Sequence, residues 1–319
     1  MSQQPLHTAA KTAIEQCMNL QSEQSCVVVT DEKRQEIGDA LYDVAAEITD
    51  DVAMVRYPVG DQHGEEPPAP VAAAMAETDV FLAPTTKSLS HTTARIEATD
   101  GGARGATLPG ITEEVFRTGM SADYENIREQ CRAVLEQVED ADKIRVTSPQ
   151  GTDITMKIGE RQWFEDTGIV HEPGAFSNLP AGEVFASPES GEGVVVVDGT
   201  MMPHGELTGG QEVRFEVEDG SVVEMKDDEI RNQLETAAET AGEDAYNLAE
   251  LGIGTNTGVS TLVGSVLLDE KAGGTVHIAI GDDHTIGGDV EAPVHLDGIL
   301  RDPTVYADGE EVALPAANQ

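Results

Sequence analysis

Histidine is scarce in this chain, 8 among 319 residues, yet His277, His284 and His295 fall within residues 275–295, where an even spread would place about half of one. Such clustering points to a metal, because a neutral imidazole nitrogen is a common ligand for divalent transition metals. His277 lies in TVHIAI (275–280), a strand-like run, and His295 shares PVHLDG (293–298) with Asp297. In extended backbone, residues two apart share a face with Cα atoms about 6.5 Å apart, so this imidazole and carboxylate can converge on one ion. A lone strand histidine is ordinarily a hydrogen-bonded core residue, and HxD by itself is a short pattern. The glycine-rich turn Gly281–Gly288 between the two runs keeps both the metal and the core readings open.

The elements that must position these residues differ between the two halves of the chain. Over residues 1–142, apolar periodicity predicts helices at 5–20, 32–48, 71–77 and 123–138. Extended runs are expected at 25–30, 52–57 and 79–84. Helices alternating with strands in this way predict an α/β N-terminal domain with a mostly parallel sheet. From 143 to 319 the texture is that of an α+β C-terminal domain carrying the metal site. Hairpins are expected at 144–158 and 212–225, a valine-rich strand at 193–198, and one long helix at about 227–251, followed by further strands.

Four stretches occur in order in the second half: NLPAGEVF (178–185), AELGIGTN (249–256), LDEKAGGTVHIAIG (268–281) and HLD (295–297). Together they resemble the core of the aminopeptidase T family, the M29 metallopeptidases, whose members are two-domain, dimeric exopeptidases with two metals. The resemblance covers roughly residues 178–300 and extends to iron-dependent ring-cleaving dioxygenases of the 2,5-dihydroxypyridine type. It implies that Glu183 and Glu250 are metal ligands and catalytic carboxylates, and that His277, His295 and Asp297 complete the set. Where the peptidases carry a tyrosine, seven residues after the first of these histidines, this chain has His284, which the resemblance makes a further ligand or acid. The departure weakens the peptidase expectation and fits the dioxygenase one slightly better.

The residue chemistry agrees with that transfer. Three carboxylates with two or three imidazoles are a mixed O/N set suited to Zn, Co, Mn or Fe as a divalent ion, and no thiolate narrows the choice. In the hydrolytic reading a metal pair activates water to release an N-terminal residue from a peptide. In the alternative, His277, His295 and Asp297 alone make a two-histidine, one-carboxylate set with positions left for O₂ and substrate. A non-catalytic metal-binding relic is the third reading. Considered without the resemblance, Glu183 is one acid among 60 and Glu250 an exposed acid at a helix end, a place its charge disfavours unless a cation compensates it. Gly252–Gly258 is no phosphate loop: it follows a helix and lacks both the GxGxxG spacing and the lysine. It reads instead as a turn that lets Glu250 approach the metals.

Composition bounds the partners. With 60 Asp+Glu against 19 Lys+Arg the formal charge is −41, and no basic run offsets it locally. Nucleic acid and anionic membranes are therefore excluded as partners by charge, leaving a peptide or small-molecule substrate. The acids are scattered through every segment and only 7 of the 19 basic residues are lysine. This resembles the composition of haloarchaeal cytosolic proteins, in which such a surface stays hydrated in molar salt. Three cysteines, none in a CxxC pair, suggest buried thiols in a reducing compartment. With no run of about 18 apolar residues, a cytoplasmic location is expected. A homodimer is implied by the resemblance alone.

Overall fold

The computed structural model describes residues 4–316. The chain divides into two compact units, one of residues 1–128 with 167–181 and the other of 129–166 with 182–319. The division at 142/143 expected from texture differs in both directions. Helix Tyr124–Val138 runs across residue 128, and the segment 167–181, polar and loop-like in sequence, returns to the first unit.

The first unit is built on a five-stranded sheet in the order Val52–Tyr57, Cys26–Asp31, Val80–Thr85, Arg104–Pro109, Phe176–Asn178, with every neighbouring pair parallel. The two central strands Cys26–Asp31 and Val80–Thr85 are buried along their whole length, as expected of strands covered on both faces. One face packs Val27, Val29, Phe81 and Ala83 against Val71, Met75 and Leu89. The strand Phe176–Asn178 was missed in sequence because three residues are too few to show a period.

The second unit contains two seven-stranded sheets. In the first, strands Lys143–Thr147, Asp153–Lys157 and Val213–Glu218 alternate buried and exposed residues, the signature of a sheet covered on one face. The second runs Gly205–Glu206, Thr200–Met201, His295–Leu300, Val276–Gly281, Leu248–Gly254, Glu183–Ala186, Phe164–Asp166, with antiparallel pairing. Both expected hairpins form.

The expected helix at 227–251 is too long. It spans Asp228–Ala241, capped by the Asp227 carboxylate on the Glu229 and Ile230 amides, and ends at Gly242 with φ +65°. A 3₁₀ turn follows, and Leu248–Gly254 is a fully buried strand. The run LAELGIG carries no helical stripe, and continuous burial is the state in which periodicity fails to separate strand from helix. Cys17, Cys26 and Cys131 are buried and form no disulfide. Among the described residues no helix is long and apolar enough to cross a membrane.

Candidate metal centre

Four adjacent strands of the second sheet deliver the candidate ligands. Register places Gly252 opposite His277, Gly254 opposite Glu183, Ala279 opposite Glu250 and Asp297, and Gly281 opposite His295. Glu250 and Gly252 share one face of their strand, as do His277, Ala279 and Gly281 of theirs. The side chains that could crowd the acids are thus small or absent. Gly252 is the clearest case: a Cβ there would lie 2.0 Å from the His277 ring, so the imidazole lies in space that only glycine leaves open. Gly252 and Gly254 therefore act within a strand and not as the turn expected from sequence, and Glu250 stands in mid-sheet and not at a helix end.

Five of the six expected ligands meet. The Glu250 carboxylate lies between two imidazoles, with Oε1 3.1 Å from His277 Nε2 and Oε2 3.4 Å from His295 Nε2. His277 Nε2 is also 3.6 Å from Glu183 Oε2, and His295 Nε2 is 3.2 Å from Asp297 Oδ1. Two overlapping trios that could each hold an ion result, Glu183–Glu250–His277 and Glu250–His295–Asp297. The first is buried throughout; His295, with 33% of its side chain exposed, forms the rim of the second. His295 Nδ1 lies 2.7 Å from the Asp282 carbonyl. A carbonyl only accepts, so Nδ1 carries the proton, and in the neutral ring Nε2 is left as the ligand atom.

His284 is not among them. It is exposed on the short 3₁₀ turn His284–Ile286 and belongs to neither trio. Residue 284 is an odd seven positions after His277, so strand alternation would not give it the His277 face, and the strand in any case ends at Gly281, with φ +116°. Within that turn Asp283, not His284, faces inward, accepting hydrogen bonds from Ser187 Oγ and the Val290 amide.

Sequence reasoning missed Glu270 and Lys271. The Lys271 ammonium is buried and donates to Glu183 Oε1 and to Glu270 Oε1, each at 2.6 Å. It reaches them because the loop after the short helix Val266–Asp269 presses on the strand at Gly254, where a Cβ would stand 2.2 Å from the Ala272 carbonyl. Asp269 anchors that loop, accepting from Thr200 Oγ1 and the amides of Val263 and Gly264. The available signal was a lysine inside the LDEKAGG stretch of a chain holding only seven lysines.

The electrostatics are those of a pocket short of positive charge. Burial pushes the Glu183 carboxyl up to about 7 despite Lys271 beside it, and Glu270 is raised by the same cause. Burial also disfavours the Glu250 anion, but hydrogen bonds from His277 and His295 outweigh it and hold that carboxyl well below the usual range. Conversely His277 rises to about 9: burial opposes its charge and loses to Glu250 and Glu183. Glu183 Oε2 is buried with no hydrogen-bond partner. An orphaned carboxylate oxygen facing an imidazole and a second carboxylate is a donor set that a divalent cation satisfies, and the residues fit such an ion.

Comparison with known proteins adds the family. Residues 6–316, almost the whole chain, match the NicX family, 2,5-dihydroxypyridine 5,6-dioxygenase. The chain belongs to this family. A relative from Pseudomonas putida KT2440, 2,5-dihydroxypyridine 5,6-dioxygenase, is 24% identical over 189 residues, 54% of this chain and 53% of that protein, so the alignment spans about half the relative's length. The fold is that of the solved 2,5-dihydroxypyridine dioxygenase from the same organism, with TM-score 0.81 at 19% identity over 99% of this chain and 97% of that one. It is also the fold of wild-type AmpT from Thermus thermophilus, with TM-score 0.69 at 19% identity over 98% and 97%. The two-domain architecture expected from the aminopeptidase T resemblance is therefore shared with both proteins.

Proposed function

We propose that this chain is a metal-dependent dioxygenase that opens a small hydroxylated ring of the 2,5-dihydroxypyridine type, with ferrous iron held by His277, His295 and the carboxylates of Glu250 and Asp297. The observation that carries the reading is the Glu250 carboxylate set between the Nε2 atoms of two imidazoles, in a chain that matches a dioxygenase family from residue 6 to 316. Two histidines and a carboxylate on one side of an ion are the donors of non-haem iron oxygenases. Bound there, iron(II) would supply a common site at which O₂ and the ring substrate react.

The chain's own residues perform the rest. The Asp282 carbonyl holds His295 in the tautomer that presents Nε2 to the same space as the Glu250 carboxylate. His277 and Glu183 close the floor to water, while the exposed part of His295 leaves access from one side. Lys271 draws Glu183 Oε1 away from the imidazoles and leaves Oε2 facing them.

The aminopeptidase reading is kept as a second one because the two trios share Glu250, an arrangement suited to a carboxylate bridging two ions, and because the fold matches AmpT. One experiment separates the two. Anaerobically iron-loaded protein should consume oxygen when given 2,5-dihydroxypyridine, with loss of the ring absorbance. Release of amine from dipeptides or amino-acid anilides by zinc-, cobalt- or manganese-loaded protein, with no oxygen uptake from the iron form, would reverse the assignment.

A further inference from the structure

We infer that Lys271 is a positioning residue that makes the two overlapping trios unequal, so that the centre holds one divalent ion tightly and a second only weakly. The inference rests on the metal reading above. Lys271 Nζ lies 2.6 Å from Glu183 Oε1 and 2.6 Å from Glu270 Oε1, and the lysine is 4% exposed. Glu183 therefore offers only Oε2 to the Glu250–His277 side, and that oxygen is buried without a hydrogen bond, 3.6 Å from His277 Nε2. A cation in the deep trio would share one carboxylate with a permanent ammonium ion. In a buried pocket that like-charge repulsion is weakly screened.

The rim trio has no such competitor. Among the described residues the ion pairs of Glu250 and Asp297 are with histidines alone, and an imidazole, unlike the Lys271 ammonium, gives up its Nε2 proton to an arriving ion and becomes a ligand. A purely structural account of Lys271 explains its burial less well, since a buried ion pair seldom stabilises a fold better than an apolar side chain in the same space. Lys271 also cannot swing out of the site freely. Its carbonyl accepts from the Asn256 amide at 2.8 Å, tying its backbone to the end of the Glu250 strand.

The test counts ions on the full chain, using Mn²⁺ alone as the probe. Metal-free wild-type protein is titrated by calorimetry and by electron paramagnetic resonance. Wild type should bind one ion per chain and give an isolated six-line spectrum. Lys271→Met should bind a second ion at least tenfold more tightly than wild type does, with an exchange-broadened spectrum, whereas Lys271→Arg should still bind one. Wild type that binds two ions with similar affinity, or a folded Lys271→Met that still binds one, overturns the inference. If Lys271→Met fails to fold, Lys271→Gln replaces it and is judged by the same criteria. Oxygen uptake is scored apart: one-ion protein that does not oxidise a dihydroxypyridine defeats the dioxygenase reading and leaves the role of Lys271 standing.

Discussion

The carboxylate of Glu250 spans the nitrogens of His277 and His295, one oxygen to each, at 3.1 and 3.4 Å. This single side chain belongs to both trios, so it is the residue whose loss should matter most. Glu250→Ala should weaken metal binding at least 100-fold by calorimetry and abolish turnover. The metal-free fold should persist with reduced stability, because the mutation takes from both imidazoles the carboxylate that pairs with them. Retention of wild-type metal affinity would reject Glu250 as a ligand.

His284 should be dispensable. It is exposed and outside both trios, so His284→Ala should leave metal affinity and kcat within about twofold of wild type. A tenfold loss in either would restore the role that the aminopeptidase T resemblance implied for it.

Gly252 should tolerate no side chain. The 2.0 Å clash of a Cβ with the His277 ring leaves a choice between moving the imidazole and moving the strand. Gly252→Ala should cost about 1–3 kcal/mol of stability in chemical denaturation and weaken metal binding more than its stability loss accounts for. A fully stable Gly252→Ala with wild-type affinity would show that His277 does not depend on this gap.

Asp269 should be structural without being a ligand. Its carboxylate satisfies one hydroxyl and two amides, and Asp269→Ala leaves them unpaired in a buried site. A loss of about 3 kcal/mol is expected, at roughly 1 kcal/mol for each donor stranded. Saturating metal should restore part of the thermal midpoint, since an ion that binds only the folded chain adds about 2.7 kcal/mol at 100 times its Kd. In wild type, chelation should lower the midpoint correspondingly and iron(II) should recover it.

Asp79 gives an acid limb that can be measured away from the centre. Hydrogen bonds from the Ser25 amide and hydroxyl, at 2.8 and 2.9 Å, hold its carboxyl below the usual range. A carboxyl lowered in the folded state contributes stability above its unfolded pKa of about 3.9 and loses it as pH falls through the folded value. Asp79→Asn should therefore lie below wild type in thermal midpoint at pH 7 and converge with it toward pH 3. Parallel curves over that range would remove Asp79 from the acid response.

Much of this protein was legible in sequence because the relevant signals are local. Alternation announced the hairpins, β-branched runs the central parallel strands, and HxD set His295 and Asp297 two residues apart on one strand face. Ordered motifs named Glu183, Glu250 and His277. Tertiary structure decided the rest, because it depends on register between strands far apart in the chain. Register put Gly252 under the His277 ring, placed Glu250 in mid-strand between two imidazoles, and turned the chain at Gly281 so that His284 points elsewhere. The burial of Lys271 against Glu183 has no local signature beyond a scarce lysine standing in the LDEKAGG stretch. A lysine enters such a pocket only where the fold brings acids to meet it, and that meeting joins residues 88 positions apart.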